Sequence, residues 1–245
     1  MLQGNSASDR TMPVPSMERR DELDPLHFRA SWPSLRSGSG RVDVHSLAAF
    51  WVRESKMEGD YFEFGVASGR SAVSAIRAAR LYGWNAPSRF HLFDSFQGLP
   101  ALEGLDAASE QFKEGDFAYS RESVIEHLER RGVWNPARIQ FYEGWFSDTL
   151  TGWLQSSFPA GSAAIVHIDC DLYESTRQVL DFVTPLLQPG TLILFDDWNC
   201  FRGSNAQGER RAVLEWIARE DVPWSLEHYV SYGWSGAGFI VDMKG

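Results

Sequence analysis

The 245-residue chain carries 23 Lys and Arg against 33 Asp and Glu, a net charge of −10, with 43% hydrophobic and 23% charged residues. That composition is ordinary for a globular chain, and its acidity disfavours a nucleic-acid or anionic-membrane partner. No apolar run approaches the ~18 residues of a membrane helix, residues 1–20 lack the apolar core of a secretory signal, and Cys170 and Cys200 make no disulfide framework. The expectation is a cytoplasmic protein without membrane or nucleic-acid partners.

Residues 1–40 read as a polar arm rich in Ser, Pro, Arg and Asp, closing on Ser37-Gly38-Ser39-Gly40. It is either a disordered tail or a lid over a site or a partner subunit, anchored by Leu26, Phe28 and Trp32. Residues 41–245 read as one domain. A helical period runs over 44–55 through Leu47, Phe50 and Trp51, and Gly59 stops it. Strands are then expected at 61–66, 90–93, 138–142, 163–168 and 191–195. They alternate with helices at 71–81, 121–131, 148–154 and 173–187, and a loop at 198–207 leads to a helix at 209–219. Residues 226–230 and 238–241 form a closing strand pair. This alternation predicts an α/β domain: a Rossmann-like, seven-stranded, mostly parallel sheet with helices on both faces.

In such a sheet ligands bind beyond the carboxyl ends of the strands, and those ends are acidic. The first carries Glu63 and then the turn from Gly65 to Gly69, with Ser71 opening the next helix. A glycine turn lets backbone approach a ligand closely, but Ala67 fills the middle glycine position of a dinucleotide fingerprint. A carboxylate at Glu63 repels a pyrophosphate and attracts an ammonium group, which points away from NAD and toward S-adenosylmethionine. Asp94, with Ser95 after it, ends the second strand where an acid can accept from ribose hydroxyls; the plainer alternative is an exposed loop acid. Asp169, Asp196 and Asp197 end adjacent central strands. Clustered carboxylates repel one another, so an oxygen-preferring ion such as Mg²⁺ fits them. Cys170 reads as a packed thiol, and His167 as a core histidine more readily than a catalytic one.

Several segments stand in order: Glu63-x-Gly65, Asp94-Ser95-Phe96-Gln97-Gly98-Leu99-Pro100, Gly144-Trp145-Phe146-Ser147-Asp148-Thr149-Leu150, Asp169-x-Asp171-Leu172-Tyr173-Glu174-Ser175-Thr176 and Asp196-Asp197. Together, over about residues 44–200, they resemble the macrocin O-methyltransferase family, Mg²⁺- and S-adenosylmethionine-dependent enzymes that modify sugars of antibiotics. The resemblance implies a class I methyltransferase fold and a homodimer or larger assembly. It implies Asp169, Asp196 and Asp197 as metal ligands, with Asp169 also the candidate general base. It implies Glu63 and Asp94 as cofactor contacts, with Gly65, Gly69, Ser71 and Ser95 beside them, and Gly144, Trp145 and Phe146 near the adenine. The sequence departs from the family at Ala67-Ser68 and in the segment from Trp198 to Gly208.

The reaction expected is methyl transfer to a hydroxyl on a sugar of a small-molecule glycoside, with Trp145, Trp198 and Phe201 able to wall the acceptor. A catechol or phenol acceptor is a second reading, weakened by Leu172 standing where catechol methyltransferases resembling this arrangement carry Lys. A non-catalytic binding protein is a third, although all three acids are present. A nicotinamide oxidoreductase is disfavoured by Glu63.

Overall fold

The computed structural model describes residues 43–84 and 88–245, so the arm at 1–40 lies outside the described residues. Seven strands form one sheet: β1 (Asp60–Phe64), β2 (Phe90–Asp94), β3 (Ile139–Glu143), β4 (Ala163–Ile168), β5 (Leu192–Phe195), β6 (Trp224–Tyr232) and β7 (Gly236–Met243). Their order is β3-β2-β1-β4-β5-β7-β6. The first five are parallel, and β7 runs antiparallel to both β5 and β6. Every residue of β4 and β5 is buried, as expected for strands covered on both faces.

Helices α1 (Val44–Glu54), α2 (Arg70–Tyr82) and α3 (Arg121–Arg130) cover one face. Small residues on α2, among them Ala72, Ala75 and Ala79, let it pack closely there, beside Val124 and Leu128 of α3. Two short helices, α4 (Phe146–Thr149) and α5 (Gly152–Ser156), follow β3. The opposite face is covered by α6 (Tyr173–Val183) and α7 (Gly208–Ile217), which bury Val179, Leu180, Phe182, Val213 and Trp216.

The first strand, expected to reach residue 66, ends at Phe64, and the helix expected at 209–219 runs Gly208–Ile217; three other elements also differ from the sequence expectation. The helix expected at 148–154 is two helices, because Leu150 leaves helical geometry at φ −82° and ψ +58° and Thr151 caps the second by accepting from the Leu154 N–H at 3.2 Å. The helix expected to reach Leu187 ends at Val183 and continues as a 3₁₀ turn at Thr184–Leu186, since Pro185 lacks the N–H an α-helix needs. The closing strands run longer than expected, paired from Trp224↔Met243 to Tyr232↔Gly236 with an irregularity between His228 and Val230. No helix among the described residues is long and apolar enough to cross a membrane.

The chain leaves β1 in one direction toward β2 and β3 and later returns beside it as β4. The carboxyl ends of β1 and β4 therefore flank the crevice where a ligand fits in this topology.

Candidate active site

That crevice holds a cavity of about 490 Å³ whose walls come from the ends of all five parallel strands and two loops. Its floor is a backbone contact. Gly65 has φ +87° and donates to the Phe93 carbonyl, while the Asp169 N–H donates to the Phe64 carbonyl, both at 2.9 Å. A Cβ at Gly65 would stand 1.8 Å from the Asp169 carbonyl oxygen, so only glycine fits.

Asp94 organises the turns on either side. Its Oδ2 accepts from the N–H groups of Val66 at 2.7 Å and Ala67 at 3.0 Å, and its Oδ1 accepts from Phe96 N–H at 2.6 Å. Three of the roughly four acceptor positions of a carboxylate are thus spent on backbone, although Asp94 still lines the cavity. These bonds hold Ala67 and Phe96 at positive φ, +42° and +55°, values uncommon for residues with a side chain. Ser95 lines the cavity as well, with its hydroxyl donating to the Gly98 carbonyl at 2.8 Å.

Glu63, Ser71 and Gly69 do not line the cavity. Glu63 is fully buried behind the turn, accepting from the Tyr61 hydroxyl at 2.8 Å and from the Ser71 hydroxyl. Burial pushes its carboxyl up to about 7 against the opposing pull of those two hydrogen bonds. Gly69 begins α2 in a left-handed conformation, where a Cβ would meet Val124 at 2.9 Å. It is a packing position. Gly144, Trp145 and Phe146, from the end of β3 into α4, do line the cavity.

On the other side stand the acids. Asp169 and Asp171 follow β4, Asp196 and Asp197 follow β5, and all four line the cavity. Burial, and then the neighbouring carboxylates, push Asp169 and Asp171 well above the usual range. Asp197 is raised too, chiefly by burial. Its Oδ1 accepts from the Cys200 thiol at 3.1 Å, while its buried Oδ2 has no hydrogen-bond partner among the described residues. Glu209 of α7, 1% exposed, accepts from the Asp197 N–H at 3.1 Å, and its buried Oε1 has no partner among the described residues.

These donors are carboxylate oxygens, the set a hard divalent cation takes, and the partnerless Asp197 Oδ2 is one such oxygen. Among the described residues no three His, Cys, Asp or Glu side chains stand in ready-made ligating geometry. The fit therefore rests on donor chemistry and charge.

Asp171 and Glu209 are the acids that sequence reasoning left out of the site. The parity of Asp171 with Asp169 was a usable signal. Glu209 gave none, because an acid in the first turn of a helix reads as a dipole partner. His167 is 2% exposed beneath the cluster and held near 4 by burial, a core residue. Of the expected acceptor walls, Trp145 lines the cavity, but Trp198 and Phe201 do not. Trp198 packs on Phe239 with ring centres 4.6 Å apart, and Phe201 packs edge-on to Phe112.

The loop after β2 closes the front. Its Phe112 packs with Leu172 and Cys200. Gln111 ties it down by accepting from the Phe201 N–H at 2.9 Å and donating to the Cys200 sulfur at 3.2 Å. Asp106 caps α6, accepting from the N–H groups of Tyr173 and Glu174 at 2.9 and 3.1 Å.

A rhamnosyl-tetracenomycin C 4'-O-methyltransferase from Streptomyces olivaceus is 32% identical over 186 residues, covering 72% of this chain and 68% of that protein. Mycinamicin III 3''-O-methyltransferase from Micromonospora griseorubida is 29% identical over 68% of each. The solved O-methyltransferase NovP shares the fold, with a TM-score of 0.64 at 21% identity, covering 88% of this chain and 87% of that one. The macrocin O-methyltransferase (TylF) profile matches residues 16–228. The chain thus belongs to the macrocin O-methyltransferase family and is an O-methyltransferase.

Proposed function

We propose that the protein moves the methyl group of S-adenosylmethionine to a sugar hydroxyl of an antibiotic-type glycoside, with Mg²⁺ held by Asp169, Asp196 and Asp197. The observation that carries this reading is one cavity joining the glycine turn and Asp94 on the β1–β3 side to the acids on the β4–β5 side. The first half suits a nucleoside, with backbone at Gly65 and Gly144, Trp145 and Phe146 beside the adenine, and the free acceptor position of Asp94 and Ser95 toward the ribose. Glu63 and Ser71 act from behind the turn, anchoring it through the hydrogen bond that the Ser71 hydroxyl donates to Glu63. The second half suits a polyol, and two relatives are named for transfer to sugar-bearing antibiotics.

The transfer is an in-line displacement in which the acceptor oxygen bonds to the methyl carbon while the sulfur–carbon bond breaks. The hydroxyl proton passes to Asp169. A carboxyl whose pKa is raised by burial and by Asp196 is a stronger base once ionised than an ordinary aspartate. Bound Mg²⁺ would acidify a coordinated hydroxyl and offset the charge of the cluster. Alignment across the rigid floor at Gly65 and Asp169 supplies the remaining advantage. The free thiols of Cys170 and Cys200 suit a reducing cytoplasm, and we expect a homodimer or larger assembly in solution.

The test is methyl transfer followed by mass spectrometry with Asp169→Asn, which keeps one oxygen but cannot take the proton. Turnover should fall by about 10²–10⁴, with affinity for S-adenosylhomocysteine unchanged. Wild-type turnover in the variant refutes the role of Asp169, and failure of the wild type to bind S-adenosylhomocysteine refutes the whole reading.

A further inference from the structure

Asp197 is clasped by a residue that the transfer step does not use. Its carbonyl accepts from the Cys200 N–H at 2.9 Å and its Oδ1 from the Cys200 thiol at 3.1 Å, so one residue holds both its backbone and its side chain. The thiol is 3% exposed and is gripped in turn, because the Gln111 amide donates to its sulfur at 3.2 Å. Gln111 stands 89 positions earlier, in the loop after β2, and both side chains line the cavity. The contact therefore joins two separate walls of the site.

The backbone beyond Cys200 is bent to make it. Phe201 and Arg202 stand at φ +54° and +58°, two successive residues with side chains in the left-handed region, a conformation that persists only where the surroundings enforce it. Gln111 Oε1 accepts from the Phe201 N–H at 2.9 Å, and Arg210 of α7 donates to the Gly203 carbonyl at 2.8 Å. Because Oε1 must face that N–H, the amide NH₂ must face the sulfur. A thiol has one proton, and with its sulfur accepting from Gln111 that proton is directed at Asp197. One glutamine thus holds both the strained turn and the thiol.

The hold matters because the terminal torsion of an aspartate has only a broad preference of its own. With Oδ1 engaged by Cys200 and the N–H by Glu209, the plane of the carboxylate is fixed, and Oδ2 is the oxygen left without a partner among the described residues. Resting on the reading above in which Asp197 holds Mg²⁺, we infer that Gln111 and Cys200 are positioning residues that fix Asp197 so that Oδ2 is the oxygen offered to the cation. A thiol suits the task. It is a weak donor, so it sets the orientation while drawing little electron density from the carboxylate. Hydrogen-bond partners of this kind commonly change metal affinity 10–100-fold when removed.

The experiment is titration calorimetry of Mg²⁺ into the full chain saturated with S-adenosylhomocysteine. Cys200→Ala should raise the Kd for Mg²⁺ roughly 10–100-fold, with S-adenosylhomocysteine affinity in chelator unchanged. Cys200→Ser keeps a donor and should restore most of the loss. Gln111→Ala, at an exposed position that least threatens folding, should weaken Mg²⁺ as well. The double alanine variant should be little worse than Cys200→Ala, since both residues act through one bond. In methyl transfer, added Mg²⁺ should recover turnover in Cys200→Ala. Wild-type Mg²⁺ affinity in Cys200→Ala and Gln111→Ala overturns the inference and leaves the metal reading standing. A serine variant as weak as the alanine one overturns it too, as does an equal loss of S-adenosylhomocysteine affinity, which marks the turn as structural only. A wild type that binds no Mg²⁺ overturns the metal reading itself, and the inference with it.

Discussion

Replacing Asp94 by Ala tests what an acid at the end of β2 does. Its three accepted N–H bonds, at 2.6–3.0 Å, tie the turn after β1 to the turn after β2. Hydrogen bonds to a charged group are worth about 1.5–3 kcal/mol each. Asp94 is only half-buried, so water will recover part of that, leaving a loss of about 3–5 kcal/mol, a large share of the ~5–15 kcal/mol that holds a domain together. At ~2–4 °C per kcal/mol for a domain of this size, the melting temperature should drop by roughly 6–20 °C. Differential scanning calorimetry without ligand measures this directly. Titration calorimetry should show weaker S-adenosylhomocysteine binding in the same variant, because the turns that shape the cavity have lost their tie. If the variant loses ligand affinity while melting at the wild-type temperature, Asp94 serves the ligand alone and the backbone argument fails.

Glu63→Gln should change how stability depends on pH. The native carboxyl sits near 7 against 4.5 as the ordinary value, so between these pH values the unfolded chain has released a proton that the native state keeps. The contribution of the group is fully present below about 4.5 and is lost as pH rises through 7, on the order of 3 kcal/mol; the melting temperature of the glutamine variant relative to wild type should rise over that window, and a constant difference from pH 4.5 to 8 refutes this. Mg²⁺ should raise the wild-type melting temperature with concentration, and Asp197→Asn should remove most of the rise; equal melting in Mg²⁺ and in chelator counts against the cation. Gly65→Ala puts a Cβ into the Asp169 carbonyl at positive φ, so it should lose cofactor binding and several kcal/mol of stability; a variant with wild-type S-adenosylhomocysteine affinity contradicts the floor described above.

The sheet was legible because parallel strands buried on both faces are continuous apolar runs. Ile165-Val166-His167-Ile168 and Leu192-Ile193-Leu194-Phe195 admit no other comfortable assignment. The strand-end rule then located the cavity, and Gly65, Asp94, Ser95, Gly144, Trp145, Phe146, Asp169, Asp196 and Asp197 all line it. The direction of each side chain was not legible. A carboxylate at a strand end can accept from a ligand or from its own backbone, and nothing local to Asp94 or Glu63 distinguishes the two. Residues from remote elements were invisible for a different reason. Glu209 and Trp234 reach the site only because α7 and the β6–β7 turn fold back over the end of β5, a long-range fact that local pattern does not contain.

The acid cluster explains why this part of the fold is so rigidly built. Asp169, Asp171, Asp197 and Glu209 are each held above the ordinary range by burial and by one another, so the protein without ligand bears the cost of crowding them. Such a cost survives only where the surroundings leave no room to relax. Here β4 and β5 are buried along their whole length, the Asp196 N–H donates to the Ile168 carbonyl at 3.0 Å, and the Ser235 hydroxyl donates to the Asp196 carbonyl at 2.6 Å. A softer scaffold would let the acids swing apart into solvent and lose the close set of oxygens that the proposed cation would need. On the proposed reading, rigidity at the ends of β4 and β5 serves the chemistry, while freedom to vary belongs to the exposed rim at Phe117 and Trp234.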